Sequence, residues 1–188
     1  QTPQLNERWL PILEKLGWLI VGTLILVGLT SVFQRAGFIF TALTTPGIDP
    51  ETSFNPFDIR YYEHYLATIG HLIPAFIIVV VGPLQFIRRV RKRWPVWHRW
   101  AGRAFLVCGT IGTLTGFFIG TFYPFLGAKG IGFNEAVATV ALTIYTLFCL
   151  TRAYQTARAR TFGKHREWMI RSWSIMLGIA TERIILGT

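Results

Sequence analysis

The fold is decided by residues 65–103, where the apolar segment YLATIGHLIPAFIIVVVGPLQFI (65–87) runs directly into RRVRKRWPVWHRWAGR (88–103). The first segment is long enough to cross a bilayer, since a membrane-spanning helix needs about 20 mostly apolar residues. The second segment carries seven Lys and Arg residues and no acidic residue. Cations that follow an apolar segment in this way are typical of a cytoplasmic loop in a membrane protein.

The composition of the whole chain supports this interpretation. Of 188 residues, 52% are apolar and only 15% are charged, yet the formal net charge is +10. Ordinary soluble domains carry roughly 25% charged residues. The long uncharged stretches exclude a soluble nucleic-acid-binding protein and a disordered tail, and two cysteines within apolar runs exclude a disulfide scaffold.

We therefore predict an all-α polytopic transmembrane helix bundle that forms a single transmembrane domain over residues 1–188. Prolines are tolerated in membrane helices, so we expect Pro74 and Pro83 to cause local kinks and not breaks. A long outer loop is predicted over residues 35–62. The five predicted spans are residues 16–33, 65–87, 101–125, 134–154 and 168–186.

The charges of the loops predict how the chain is threaded. The loop between the fourth and fifth spans is also basic and contains one acidic residue, Glu167, whereas the loop after the first span is net acidic. The positive-inside rule then places the N-terminus in the cytoplasm and the C-terminus outside. We expect anionic inner-leaflet lipids as partners and no nucleic acid, because the positive charge lies at head-group level.

Two histidines at the cytoplasmic rim form the leading candidate site. His98 opens the third span and His165 the fifth, and each is followed directly by an arginine. Two imidazoles and several guanidiniums at one depth suit an anionic or redox-active ligand such as haem b or a quinone. His98 and His165 are the candidate metal ligands if haem is bound. The candidate cofactor-binding arginines are Arg99, Arg103, Arg166 and Arg171.

A second polar site is predicted near the outer side, from His71, Glu182 and Arg183, because ionisable residues within a span are costly and often functional. His71 lies about 22 Å from the inner end of its helix, at 1.5 Å per residue. That distance prevents it from sharing one iron ion with His98 or His165. The glycines Gly112, Gly116 and Gly120 follow one helix face. They predict close helix packing, with a flat cofactor or a lipid as the alternative.

The motif residues of spans two, three and five resemble a family of uncharacterised bacterial membrane proteins, the domain of unknown function 2306 (DUF2306). The resemblance implies a multi-pass protein of the bacterial inner membrane, and it allows a sixth span in a longer full-length protein. It implies no reaction. The residues that carry it are His71, Gly82-Pro83-Leu84-Gln85-Phe86, Arg89, His98-Arg99, Gly102-Arg103, His165-Arg166-Glu167-Trp168-Met169-Ile170-Arg171 and Arg183.

These observations favour a small redox-type membrane protein that binds haem or quinone at the cytoplasmic His/Arg cluster. Two alternatives stay open. One is an accessory or assembly subunit of a larger membrane complex, or a homo-oligomer, without catalysis of its own. The other is a small transporter or lipid-binding protein. The sequence contains no nucleophile elbow, phosphate loop or nucleotide fingerprint, so no enzyme activity is assigned.

Overall fold

The computed structural model describes residues 9–45, 47, 56–123 and 131–186, without the side chains of residues 56–58, 60, 131, 132, 179 and 182–186. Every regular element in these ranges is a helix, which confirms the predicted all-α class. In chain order the helices are α1 (Leu10–Thr44), α2 (Pro56–Glu63), α3 (Tyr65–Phe86), α4 (Arg88–Arg93), α5 (Pro95–Phe122), α6 (Ile131–Arg158) and α7 (Phe162–Leu186).

Within the described ranges, four helices are long and apolar enough to cross a membrane: α1, α3, α5 and the Phe133–Arg158 part of α6. They contain the first four predicted spans almost completely. The predicted fifth span falls in α7, whose 25 residues would also suffice in length. Because α7 carries Arg171 in its middle and Glu182 and Arg183 near its end, its composition does not mark it as a span.

The predicted outer loop over residues 35–62 is helical at both of its ends. The first helix continues to Thr44, because the apolar segment Phe38–Leu43 extends it without a helix breaker. It stops where Pro46 follows, and the preceding Thr45 has the extended backbone that a residue before proline prefers. The second helix then begins at Pro56. The helices α1 and α2 thus include the first and the last residues of the predicted loop, and its position outside the membrane stays a prediction.

The second predicted span ends in a sharp change of direction. The helix α3 is continuous through Pro74 and Pro83, as predicted, and stops at Phe86. Ile87 is extended, and the short helix α4 follows with five cationic residues. This break turns the basic segment away from the axis of α3, so its charges need not enter the hydrocarbon.

The contacts between the five long helices form a closed cycle. Contacts run from α1 to α3, from α3 to α5, from α5 to α6, from α6 to α7, and from α7 back to α1. The helices α3 and α7 also touch each other across the middle. The buried core includes Ile78, Phe105, Leu150, Met169 and Trp173, contributed by α3, α5, α6 and α7.

The glycine face of α5 is used for close packing, which agrees with the packing interpretation of these residues. A Cβ atom on Gly112 would lie 3.4 Å from Cβ of Pro74 in α3. On Gly116 it would lie 3.0 Å from the ring of His71, and on Gly120 it would lie 2.8 Å from Oγ1 of Thr139 in α6. The absence of side chains therefore lets α5 approach helices on two sides.

A single added methyl group at Gly82 is expected to disrupt the contact between α3 and α7. A Cβ atom there would lie 2.6 Å from Cδ1 of Trp173, so Gly82→Ala should lower the free energy of unfolding by about 1–3 kcal/mol. The control is Gly178→Ala in α7, where nothing lies within 4 Å and helix propensity alone should add up to about 1 kcal/mol. Thermal unfolding in detergent, followed by size-exclusion chromatography, compares the two. Equal melting temperatures would contradict this packing.

Candidate functional site

His165 is held by the end of the preceding helix. The helix α6 ends in a tight turn, in which the N–H of Thr161 donates to the carbonyl of Thr156 and Arg160 has a left-handed backbone with φ of 57°. This turn brings Nδ1 of His165 within 2.9 Å of the carbonyl oxygen of Ala153. A carbonyl oxygen only accepts, so Nδ1 carries the proton and Nε2 of the neutral ring is an acceptor or a metal ligand.

His98 lies in the first turn of α5, at the same end of the bundle. Its Nδ1 atom is buried and has no hydrogen-bond partner among the described residues. Arg91 of α4 and His165 of α7 both lie within electrostatic range of its ring. The two histidines predicted to act together are thus neighbours at the end that carries α4 and the α6–α7 turn, called the basic end below. A ligand shared between them stays a prediction.

Two further polar side chains at the basic end each have a nitrogen without a hydrogen-bond partner among the described residues. The sequence interpretation predicted neither of them as a site residue. Gln85 and Trp173 are only 5% and 6% exposed. Neither Nε2 of Gln85 nor Nε1 of Trp173 has a hydrogen-bond partner within the described part of the chain. A signal was present for Gln85, since it is a rare polar residue in an otherwise apolar span. No sequence signal distinguishes Trp173 from the other tryptophans.

These side chains are connected through two helix faces. The Oε1 atom of Gln85 lies 3.7 Å from the position of a Cβ on Gly102, one helical turn beyond His98. The indole of Trp173 packs directly against Gly82, which is one turn before Gln85. We call Gln85, His98, His165 and Trp173 the basic-end cluster.

The four predicted arginines lie outside this cluster. Arg99, Arg103, Arg166 and Arg171 all have exposed side chains. The guanidinium carbon of Arg103 lies 4.7 Å from the ring centre of Trp100, and that of Arg171 lies 4.4 Å from the ring centre of Trp168. Cations stacked on tryptophan at a membrane surface are suited to lipid head groups. Their predicted contact with a cofactor stays a prediction.

The predicted second site is described only around His71. Its Nδ1 donates to the carbonyl oxygen of Gly112 at 2.8 Å, and Oγ1 of Thr115 lies 3.4 Å from the same nitrogen. Glu182 and Arg183 belong to the last helix, but their side chains lie outside the described part of the structure. The predicted grouping of the three residues therefore stays a prediction.

A cavity of about 250 Å³ lies next to His71, between α3, α5, α6 and α7. Apolar side chains and the glycine face of α5 form most of its wall. The sequence interpretation did not find its polar wall, although the spacing of Glu135, Thr139, Thr143 and Thr146 on α6 would have indicated it. The polar side chains that line the cavity include His71, Glu135, Thr139, Thr143, Thr146 and Trp173.

No group of three or more His, Cys, Asp or Glu side chains that could hold a metal ion occurs among the described residues. A metal site there would depend on two protein ligands, as in a haem held by two imidazoles. His165 has the hydrogen bond from its second ring nitrogen to a carbonyl that metal-bound imidazoles usually have. It therefore fits the donor chemistry of a haem ligand.

Removal of the His71 imidazole is expected to destabilise the bundle more than removal of the nearby hydroxyl. His71→Ala should cost about 2 kcal/mol, since it loses the bond to Gly112 and leaves a void. Thr115→Val should cost less than about 1 kcal/mol, because its shortest bond, at 2.8 Å, is to Ile111 of its own helix. Thermal unfolding of both variants measures the difference. An equal loss in both would show that the His71 bond contributes nothing.

Comparison with known proteins gives one family and no closer relative. Residues 68–188, which cover α3 and all helices after it, match the family described as "Predicted membrane protein (DUF2306)". No curated protein and no solved structure matches the chain significantly. The match extends over well over half of the chain and contains all four residues of the basic-end cluster. The chain therefore belongs to the DUF2306 family of predicted membrane proteins.

Proposed function

We propose that the protein is a quinone-binding membrane protein whose basic-end cluster holds the carbonyl oxygens of the quinone head group. The observation that carries the proposal is the pair of buried side-chain N–H groups of Gln85 and Trp173, without hydrogen-bond partners in the described residues, at the end of the bundle that also carries His98 and His165. The proposal concerns binding and assigns no reaction.

The missing partner of this cluster has to be an acceptor. The side-chain nitrogens of glutamine and tryptophan can only donate hydrogen bonds. Leaving such a donor buried and unpaired costs about 1–3 kcal/mol, so a ligand that supplies an oxygen atom recovers this cost on binding. A quinone head group offers two carbonyl oxygens on a flat apolar ring.

The surroundings of the cluster suit the apolar part of such a ligand. The ring of Phe86 lies 5.4 Å from that of Trp173, and Phe105 is fully buried in the same core. His165 Nε2 and the buried nitrogen of His98 add polar groups that can bind the carbonyl form or the hydroxyl form of a quinone. The cluster thus combines aromatic surface with directed hydrogen bonds.

Haem is the competing ligand, and the donor chemistry favours it less. His98 and His165 would be its axial ligands, and haem would supply redox chemistry when bound. Gln85 and Trp173 cannot ligate iron, so this version leaves two of the four cluster members without a role. A quinone offers acceptor oxygens, which are the kind of partner that these N–H groups require.

Five spans with the N-terminus inside form the second part of the proposal. The basic segments at α4 and at the α6–α7 turn support a cytoplasmic basic end by the positive-inside rule. The helix α7 contacts both α6 and α1, as expected of a helix that crosses with them. Its length of 25 residues, or about 37 Å, exceeds the hydrocarbon thickness of about 30 Å. The membrane is then the inner membrane of a bacterium.

Gln85→Leu is expected to abolish quinone binding without destabilising the empty protein. The amide nitrogen has no partner to lose among the described residues, so an apolar side chain of similar size should be neutral or stabilising. Purified variants are titrated with decylubiquinone by tryptophan fluorescence quenching, and melting temperatures are measured without quinone. Gln34→Leu, an exposed glutamine in α1, is the matched control and should bind like the native protein.

Absorption spectra of the same preparations distinguish the competing ligand. A Soret band that disappears in His165→Ala and persists in Gln85→Leu would assign haem and contradict the quinone proposal. Unchanged quinone affinity in Gln85→Leu would also contradict it.

The five-span arrangement predicts that the two ends of the chain lie on opposite sides of the membrane. A reporter that is active on one side only is fused in turn to the N-terminus, after residue 160 and to the C-terminus. We expect the first two fusions to report the cytoplasm and the third the outside. A C-terminal fusion on the same side as the N-terminal one would support four spans instead.

A further inference from the structure

We infer that the cavity between α3, α5, α6 and α7 is a hydrated half-channel that brings water to the side of His71 from the end of the bundle opposite the basic end. The cavity shares the indole of Trp173 with the basic-end cluster, but the inference does not depend on which ligand that cluster binds.

One wall of the cavity is a polar stripe on α6. Glu135, Thr139, Thr143 and Thr146 follow each other at intervals of four, four and three residues and all line the cavity. Residues at these intervals lie on one face of a helix, and this face is about 16 Å long at 1.5 Å per residue. The stripe thus reaches about half of the way through a hydrocarbon core of about 30 Å.

The inner part of this stripe faces the interior of the bundle. Thr143 and Thr146 are buried, while their neighbours Ile144 and Tyr145 are exposed. Hydroxyl groups are thus turned inward and apolar side chains outward, toward the lipid. In hydrocarbon, polar side chains are retained where they face the bundle interior or a water-filled cavity.

The opposite wall holds His71 in a defined orientation. Nδ1 donates to the carbonyl of Gly112, which holds the imidazole against α5 at the edge of the cavity. Gly112 and Gly116 carry no side chains, and both line the cavity beside the imidazole. Both glycines thus form part of the cavity wall beside the ring.

The cavity has room and partners for water. At about 30 Å³ per molecule in the liquid, its volume of about 250 Å³ corresponds to about eight waters. Among the side chains that the structure describes, the titratable ones that line it are Tyr61 of α2, His71 of α3 and Glu135 of α6. Glu135 and Tyr61 lie toward the end of the bundle opposite the basic end, because Glu135 is near the start of α6 and Tyr61 precedes α3.

The other end of the cavity is apolar, apart from one donor. Ile78, Met176 and Leu177 line it there, together with the indole of Trp173. Water can thus enter from the Glu135 end without a continuous polar route through the bundle. Trp173 also belongs to the basic-end cluster, so the half-channel stops beside that cluster.

Access of silver ions to engineered cysteines tests hydration directly. Silver ions react with thiolates and cross lipid poorly, so a blocked thiol reports an aqueous path. Cys108 and Cys149 are replaced by alanine, and Thr143→Cys is compared with Ile144→Cys, the adjacent residue whose side chain is 65% exposed at the outer surface of the bundle. Thiols that remain free are counted with a maleimide after denaturation.

We expect silver ions added at the Glu135 end to block the thiol of the Thr143→Cys variant at least tenfold faster than that of the Ile144→Cys variant. Silver ions added at the basic end should block neither thiol. Equal slow reaction of both variants would show that the cavity is dry and would overturn the inference. Fast reaction of the Thr143→Cys variant from both ends would replace the half-channel by a continuous channel and would overturn it as well.

A second measurement uses the unaltered protein, so that a misfolded variant cannot hide the answer. In ¹⁵N-histidine-labelled protein in lipid bilayers, NMR measures how fast magnetisation is transferred from water to each histidine ring. The transfer rate for His71 should differ by less than threefold from the rate for His64 at the bundle end. The His71 signal is assigned by its loss in His71→Asn. No transfer to His71 would overturn the inference. Neither result affects quinone titration, so failure here is distinguishable from failure of the proposed function.

Discussion

The close approach of α3 to the glycine face of α5 is the constraint on which the rest of the structure depends. An α-helix normally covers its carbonyl oxygens with the side chains of the following turn. At Gly112 that cover is missing, because Gly116 has no Cβ that would stand 3.0 Å from the imidazole. His71 can therefore donate to a backbone oxygen within a helix. The same two glycines also form part of the wall of the cavity beside the ring.

The two ends of the bundle carry different sets of polar side chains. At the basic end, exposed guanidiniums stack on tryptophans while a separate set of polar side chains is buried inside. Exposed cations stacked on tryptophan are suited to the level of the lipid head groups. The proposed ligand of the buried set would instead be selected by hydrogen bonds in an apolar setting.

Much of the fold could be predicted from the sequence, because a bilayer imposes simple rules. Uncharged segments had to be helical, and four of the five predicted spans coincide with candidate membrane helices. The antiparallel arrangement of those spans also placed His98 and His165 at one end. Hydropathy alone does not settle α7, since Arg171 interrupts its apolar residues and only its packing against α6 and α1 places it in the bundle.

The side-chain partners could not be predicted in this way. Trp173 is distinguished from the other tryptophans only by what surrounds it, such as Gly82 on a neighbouring helix, and the contact of Gln85 with Gly102 is likewise not visible in the sequence. Pairings between distant segments determine these surroundings, and no local pattern records them. The polar stripe that begins at Glu135 is different. Its spacing of three to four residues can be read from the sequence, although the apolar residues between its members make it harder to notice.

The length of the turn between α6 and α7 determines where His165 lies relative to α6. The two helices are separated by only three residues, Ala159, Arg160 and Thr161. Arg160 has a left-handed backbone conformation, which residues other than glycine adopt at an energetic cost. One inserted residue would rotate the imidazole by about 100° around the axis of α7 and away from the Ala153 carbonyl. Among related chains that keep this histidine bound to the preceding helix, the length of the connection should consequently vary less than the identity of its residues.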